Sequence, residues 1–240
     1  MRAFVMPRLH RLYLAAVLLA SSGLAAHAEF TLGDERGSLS GNYLAGRSAD
    51  RANDTGPASE YLTRALLQDP KNAGLIERLF LIELQDGDIP AAEELARKVL
   101  QFNSQQRAAR LTLGLRDMRQ GRFGSARRHF AESSYTPIGT LTSSLLTAWS
   151  YAGEGNQQQA LKALDRLDQT EAFANFKLYH SALIADLLRN PIRAEAAYKE
   201  ALQNNSRALR VVQAYGNFLL RNKRTSDALK VFEDYRKDGQ

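Results

Sequence analysis

Cysteine is absent from this chain of 240 residues. That excludes disulfide cross-links, thiol chemistry and attachment of a lipid through a cysteine at a processing site. Histidine is nearly as scarce. Beyond the first 28 residues there are His129 and His180, far apart and without carboxylates at ligand spacing, so neither reads as a metal ligand. No glycine-rich phosphate loop, nucleophile elbow or dinucleotide fingerprint occurs. Asp86-Gly87-Asp88 lacks the remaining oxygen ligands of a calcium loop and reads as a turn. A catalytic site, a metal and a cofactor are therefore not expected.

Charge of one sign is also in short supply. The formal charge of +6 includes Arg2, Arg8 and Arg11; without them 29 Lys and Arg face 26 Asp and Glu, which is about +3 and too scattered to suggest nucleic acid. The chain has one long apolar run, Leu12 to Ala20, and Ser21-Ser22-Gly23 interrupts it. That is short of the roughly 20 residues that span a bilayer. The three arginines before it and Ala26-His27-Ala28 after it fit a cleaved signal peptide over residues 1–28. The expectation is export to the periplasm or cell exterior, with no stable membrane insertion after cleavage. Residues 29–38, short, charged and aperiodic, read as a flexible lead-in.

What the chain does have is a period. Ala58, Ala92, Ala126, Ala160, Ala194 and Ala228 stand 34 residues apart, with no insertion or deletion between them. Each belongs to the second of two amphipathic runs separated by a turn: the turn over Asn53 to Pro57, then those at Asp86-Gly87-Asp88, Gly121, Gly155-Asn156, Asn190-Pro191 and Arg221 to Thr225. Twelve residues before the alanine stands a small residue, at Gly46, Gly114, Ala148, Ala182 and Gly216. Four residues after it comes a large apolar one, at Leu62, Phe130, Leu164, Tyr198 and Phe232. The second unit reverses the volumes, with Phe80 in the small position and Ala96 in the large one. A repeat of this length specifies stacked units, each touching its neighbours, in place of one wrapped core.

This pattern resembles the tetratricopeptide repeat over residues 39 to about 236. The resemblance implies an all-α, right-handed superhelical solenoid of about six helical hairpins. The units fall near residues 39–72, 73–106, 107–140, 141–174, 175–208 and 209–240. Small residues in the first helix should let the two helices of a hairpin approach closely, and the large residue should plug the space between units. The run GNYLAGRSADRANDTGPASEYLTRALLQDPKN also looks like the first repeat of exported bacterial proteins of this family, which are usually longer.

In such an architecture the first helix of each unit lines a concave face that holds a segment of a partner protein. Projection places Leu81, Leu84, Leu111, Leu115, Met118, Leu145, Trp149, Tyr179 and Leu183 on that face, with Arg119 at its edge and Phe176, Leu187, Arg47 and Arg221 around it. An apolar strip with a polar rim is the signature of a docking surface, and Trp and Tyr are the residue types that dominate interface energy. The competing reading is that the leucines belong to the core between repeats. The expected function is a non-catalytic interaction scaffold or adaptor of the cell envelope. The alternative is the N-terminal scaffold of a larger envelope-assembly or enzyme system. Phe232 and Tyr235, in the last unit, point to self-association as a further expected mode.

Overall fold

The computed structural model describes residues 37–237. The signal peptide expected over 1–28 and most of the lead-in, 29–36, lie outside the described residues. Those described form an all-α solenoid of six helical hairpins. The first three are α1 (Leu39–Arg51) with α2 (Thr55–Gln68), α3 (Ala73–Asp86) with α4 (Ile89–Phe102), and α5 (Arg107–Arg119) with α6 (Phe123–Ala131). They are followed by α7 (Pro137–Gly153) with α8 (Gln157–Leu164), α9 (Ala174–Leu187) with α10 (Pro191–Asn204), and α11 (Leu209–Arg221) with α12 (Thr225–Lys237). Each helix packs on the one before and the one after it, the arrangement a solenoid requires.

The repeated alanines explain the packing. All six are fully buried where the two helices of a hairpin meet, because any longer side chain there would hold the helices apart. In three hairpins the large residue fills the space over the small residue of its own hairpin, and Tyr198 also plugs the junction with the next unit, where it packs on Tyr215 and Phe218. A Cβ on Gly46 would lie 2.7 Å from Leu62 Cγ, one on Gly114 2.8 Å from Phe130 Cδ1, and one on Gly216 2.6 Å from Phe232 Cε1. The reversed pair of the second unit, Phe80 and Ala96, is fully buried within one core cluster. The volume is thus delivered from the other helix.

Every hairpin turn contains a residue in the left-handed region: Asn53, Gly87, Gly121, Gly155, Arg189 and Lys223, with φ between +57° and +87°. They recur in the same register as the alanines. In five of the turns the next N–H reaches back to a carbonyl of the preceding helix, from Asp54, Arg122, Asn156, Asn190 and Arg224, at 2.8 to 3.0 Å. This closes the first helix by satisfying an orphan carbonyl. Helix starts are capped by side chains: Ser38 on α1, Asn72 on α3, Asp88 on α4, Gln106 on α5, Thr136 on α7, Asn156 on α8 and Asn190 on α10. Each such cap is worth about 1 kcal/mol.

Three boundaries differ from the periodic reading. Ser38 caps α1, and the Gly37 carbonyl accepts from the Gln68 amide at 3.1 Å, so the lead-in already belongs to the fold at those two residues. Pro137, inside the span 107–140 expected for the third unit, opens α7, since a first-turn position has no hydrogen bond for proline to lose. The short α6 ends at Ala131, where the Ser133 and Ser143 hydroxyls both donate to the Phe130 carbonyl, at 2.8 and 2.6 Å. After α8 the chain continues in two short 3₁₀ segments, Asp165–Gln169 and Glu171–Phe173, the first of which keeps Leu167 buried.

Candidate functional site

The first helices of the four central hairpins, α3, α5, α7 and α9, repeat one face once per unit. Leu81, Leu115, Trp149 and Leu183 occupy one row; Leu111, Leu145 and Tyr179 a second; Leu84 and Met118 a third. In the first and last hairpins the first-row positions are polar, Arg47 and Asn217, whereas the second row has Tyr43 and Gln213 and the third Asp50 and Leu220. The first row is therefore apolar only in the four central hairpins, while exposed Tyr43 and Leu220 continue the other rows at the two ends.

None of these nine apolar residues is fully buried. Leu81 and Leu115 are 40% and 48% exposed. Leu84, Leu111, Met118, Leu145, Trp149, Tyr179 and Leu183 are half-buried. Leu84 leans on the N-terminal core cluster, Leu145 and Trp149 on the central one, and Tyr179 and Leu183 on the C-terminal one. Core and surface readings thus both hold in part. The five that lean on a core cluster serve both roles, whereas Leu81 and Leu115 are surface residues. Leu84, Leu115 and Arg119 are brought together with Ile89, Glu93, Thr112 and Arg116 around a depression of about 200 Å³.

The arginines at the rim already have partners. Arg119 donates to Glu93 at 2.8 Å, Arg221 pairs with Asp186, and Arg47 donates to the Tyr43 hydroxyl at 3.0 Å. A ligand carboxylate meeting Arg119 would have to displace Glu93. Behind the strip, Asp117 is a buried carboxylate. Burial opposes its charge, but Arg122, Ser125 and Arg116 donate to it and together hold its pKa below the ordinary value.

Sequence reasoning missed two features. At the N-terminal end a cavity of about 490 Å³ opens between α1 and α3, lined by Leu39, Ser40, Tyr43, Arg47, Asn72, Gly74, Leu75 and Arg78. Exposed Leu39 and Tyr43 in the first helical turns were its signal. The second is a hydrogen bond at 2.9 Å from the Trp149 indole N–H to Nδ1 of His180, which ties α7 to α9. Apolar exposure is not confined to the strip either. Leu67 and Ile192, on second helices, are 74% and 85% exposed.

No helix among the described residues is long and apolar enough to cross a membrane. No protein-family model and no curated protein matches the chain. Among solved structures it is similar to a tetratricopeptide repeat protein from Parabacteroides merdae, at 12% identity and a TM-score of 0.67, over 83% of this chain and 79% of that one. It is similar to PilW, described as a widely conserved type IV pilus biogenesis factor, at 15% identity and TM-score 0.58, over 84% and 98% of the two chains. A third likeness is to YrrB, described as a TPR protein with an unusual peptide-binding site, at 12% identity and TM-score 0.58, over 75% and 98%. At these identities the likeness establishes the fold alone: a solenoid of helical hairpins like that of tetratricopeptide-repeat proteins.

Proposed function

We propose that this protein is a non-catalytic adaptor that holds a segment of a partner protein along the strip formed by α3, α5, α7 and α9. The observation that carries the reading is the row Leu81, Leu115, Trp149 and Leu183, one residue per unit on one face, each left partly in water. A row confined to core duty would be covered, whereas apolar surface kept open on a rigid scaffold is a binding resource. Affinity would come from apolar partner side chains covering Leu115, Met118, Leu145 and Trp149, with the exposed Arg119 setting orientation. The N-terminal charge and apolar pattern of residues 1–28 supports a setting in the bacterial cell envelope, with export after cleavage near Ala28. PilW, a pilus biogenesis factor of the same fold, is consistent with that setting.

The test is affinity capture from envelope extract with residues 29–240, beside the Leu115→Arg, Trp149→Ala variant. A protein retained by the first and lost from the second, with helicity equal in both, supports the groove. Equal retention by both sinks it.

A second reading rests on α12. Phe232 is 36% exposed, whereas its counterparts Leu62, Phe130, Leu164 and Tyr198 are fully buried, and Leu229 is exposed beside it. This face would suit stacking on another copy. Sedimentation at high concentration decides it: a strict monomer rules the second reading out.

A further inference from the structure

Trp149 and His180 come from neighbouring units and meet on the groove side of α7 and α9. Their rings pack edge to face with centroids 6.0 Å apart, and Tyr179 packs against the same imidazole at 5.5 Å. An indole N–H can only donate. The 2.9 Å bond therefore needs a lone pair on Nδ1, which puts the proton of the neutral ring on Nε2. A protonated imidazole carries hydrogen on both nitrogens and has no lone pair to offer. Two donors would then face each other at a separation fixed by packed helices.

We propose that His180 is a latch on the groove: its neutral ring holds Trp149 in the wall, and its protonated ring lets the indole go. The consequence for partner binding rests on the groove reading above; the latch itself does not. Trp149 is the largest side chain of the strip, so its release changes the shape that a partner meets.

The surroundings leave the switch to His180 itself. Burial alone pushes its protonation below the ordinary value, and no charged neighbour contributes. On α9, Lys177 is held by Asp165 and Asp168, and Asp186 by Arg221. Tyr151, the titratable side chain of α7, lies under Arg127. On α8 and the two 3₁₀ segments, Lys162, Arg166 and Glu171 are exposed. On α10, Glu195 is bound to Lys199 and Arg224, and Tyr198 to Asp186, while Arg193 and Glu200 are exposed. On α11, Tyr215 donates to Glu195, and Arg210 is exposed.

Trp149 is the one tryptophan in the chain, so intrinsic emission reports this site alone. The experiment follows indole emission and its quenching by acrylamide in the free protein from about pH 8 down to about pH 4.5, with far-UV circular dichroism in parallel. The expected result is a loss of emission with a shift to longer wavelength and easier quenching, at a midpoint below 6.5, while helicity holds. His180→Asn keeps an acceptor but cannot gain a proton, and its emission should stay flat; His129→Gln should keep the wild-type transition. Flat wild-type emission with constant helicity overturns the latch. So does the same midpoint in His180→Asn, or a transition in both proteins that coincides with loss of helicity. Failure of partner capture leaves these readings untouched, and flat emission leaves the groove standing, so the two ideas fail separately.

Discussion

The ring of Phe130 fills the space into which a Cβ on Gly114 would project, with Cδ1 2.8 Å and Cζ 3.1 Å from that point. The ring is fully buried and so is Gly114, so the two are in close contact within the hairpin.

Gly114→Ala should therefore destabilise the protein by about 1–3 kcal/mol, the usual cost of overpacking. The gain of about 1 kcal/mol from replacing a mid-helix glycine will not offset that. Adding Phe130→Leu should recover part of the loss. Urea titration of the two variants checks it, and a stable Gly114→Ala single variant would be the contrary result.

The second hairpin offers the reverse exchange. Phe80→Ala alone should cost about 3–5 kcal/mol through the cavity it leaves. Combined with Ala96→Phe, the loss should be clearly smaller than the sum of the two single changes, because the ring returns to the same core from the other helix. A double-mutant cycle in denaturant measures that coupling, and strict additivity would show that the two positions do not share one space.

Turn chemistry can be tested at equivalent positions. Lys223 and Arg189 hold φ near +60° and +57°, where Gly87, Gly121 and Gly155 sit in their own hairpins. Left-handed backbone costs an L-residue about 1–2 kcal/mol, partly offset by the greater freedom of glycine when unfolded. Lys223→Gly should be neutral or stabilising, by up to about 1 kcal/mol, and Gly121→Ala destabilising by a similar amount. Thermal melts of both compare them, and the same sign for both would contradict the assignment.

Stability should fall in two stages on acidification. Burial holds His129 and His180 below their unfolded value of 6.5, so below that pH the unfolded chain takes up protons that the folded one refuses. Stability is then full above 6.5 and declines beneath it. The second stage comes from Glu195, held down at about 2 by hydrogen bonds from Lys199 and Arg224. Its contribution is present above its unfolded value of 4.5 and is lost as pH falls toward 2. Denaturant midpoints measured across this range should drop first as pH falls below 6.5, with His129→Gln and His180→Asn together flattening that first stage.

Much of the fold was legible because it depends on volume at fixed spacing. Alanines where helices touch and large residues where glycines make room leave a trace in any sequence read at the right period. The third unit was expected to run to residue 140, yet Pro137 already opens the next helix, since proline at a helix start and proline after a helix end look alike without the cap at Thr136. The turns at Asn190-Pro191 and Arg221 to Thr225 were legible, but not that Arg189 and Lys223 hold the left-handed backbone there, since neither residue type favours it. The candidate strip was legible as a set of positions, but not its half-buried state, which depends on how far neighbouring hairpins close. The bond from Trp149 to His180 joins two units and follows no periodic rule, and so it was not foreseen.

The left-handed residues at the hairpin turns have a bearing on how this molecule could change in length. Because Asn53, Gly87, Gly121, Gly155, Arg189 and Lys223 keep one spacing, a cut at any one of them rejoined at the next would meet the same backbone geometry. The chain could then shed or gain whole hairpins as cassettes, while a cut of any other length would turn the alanine face away from its partner helix. Its length is quantised, and so is the reach of any surface that its helices carry.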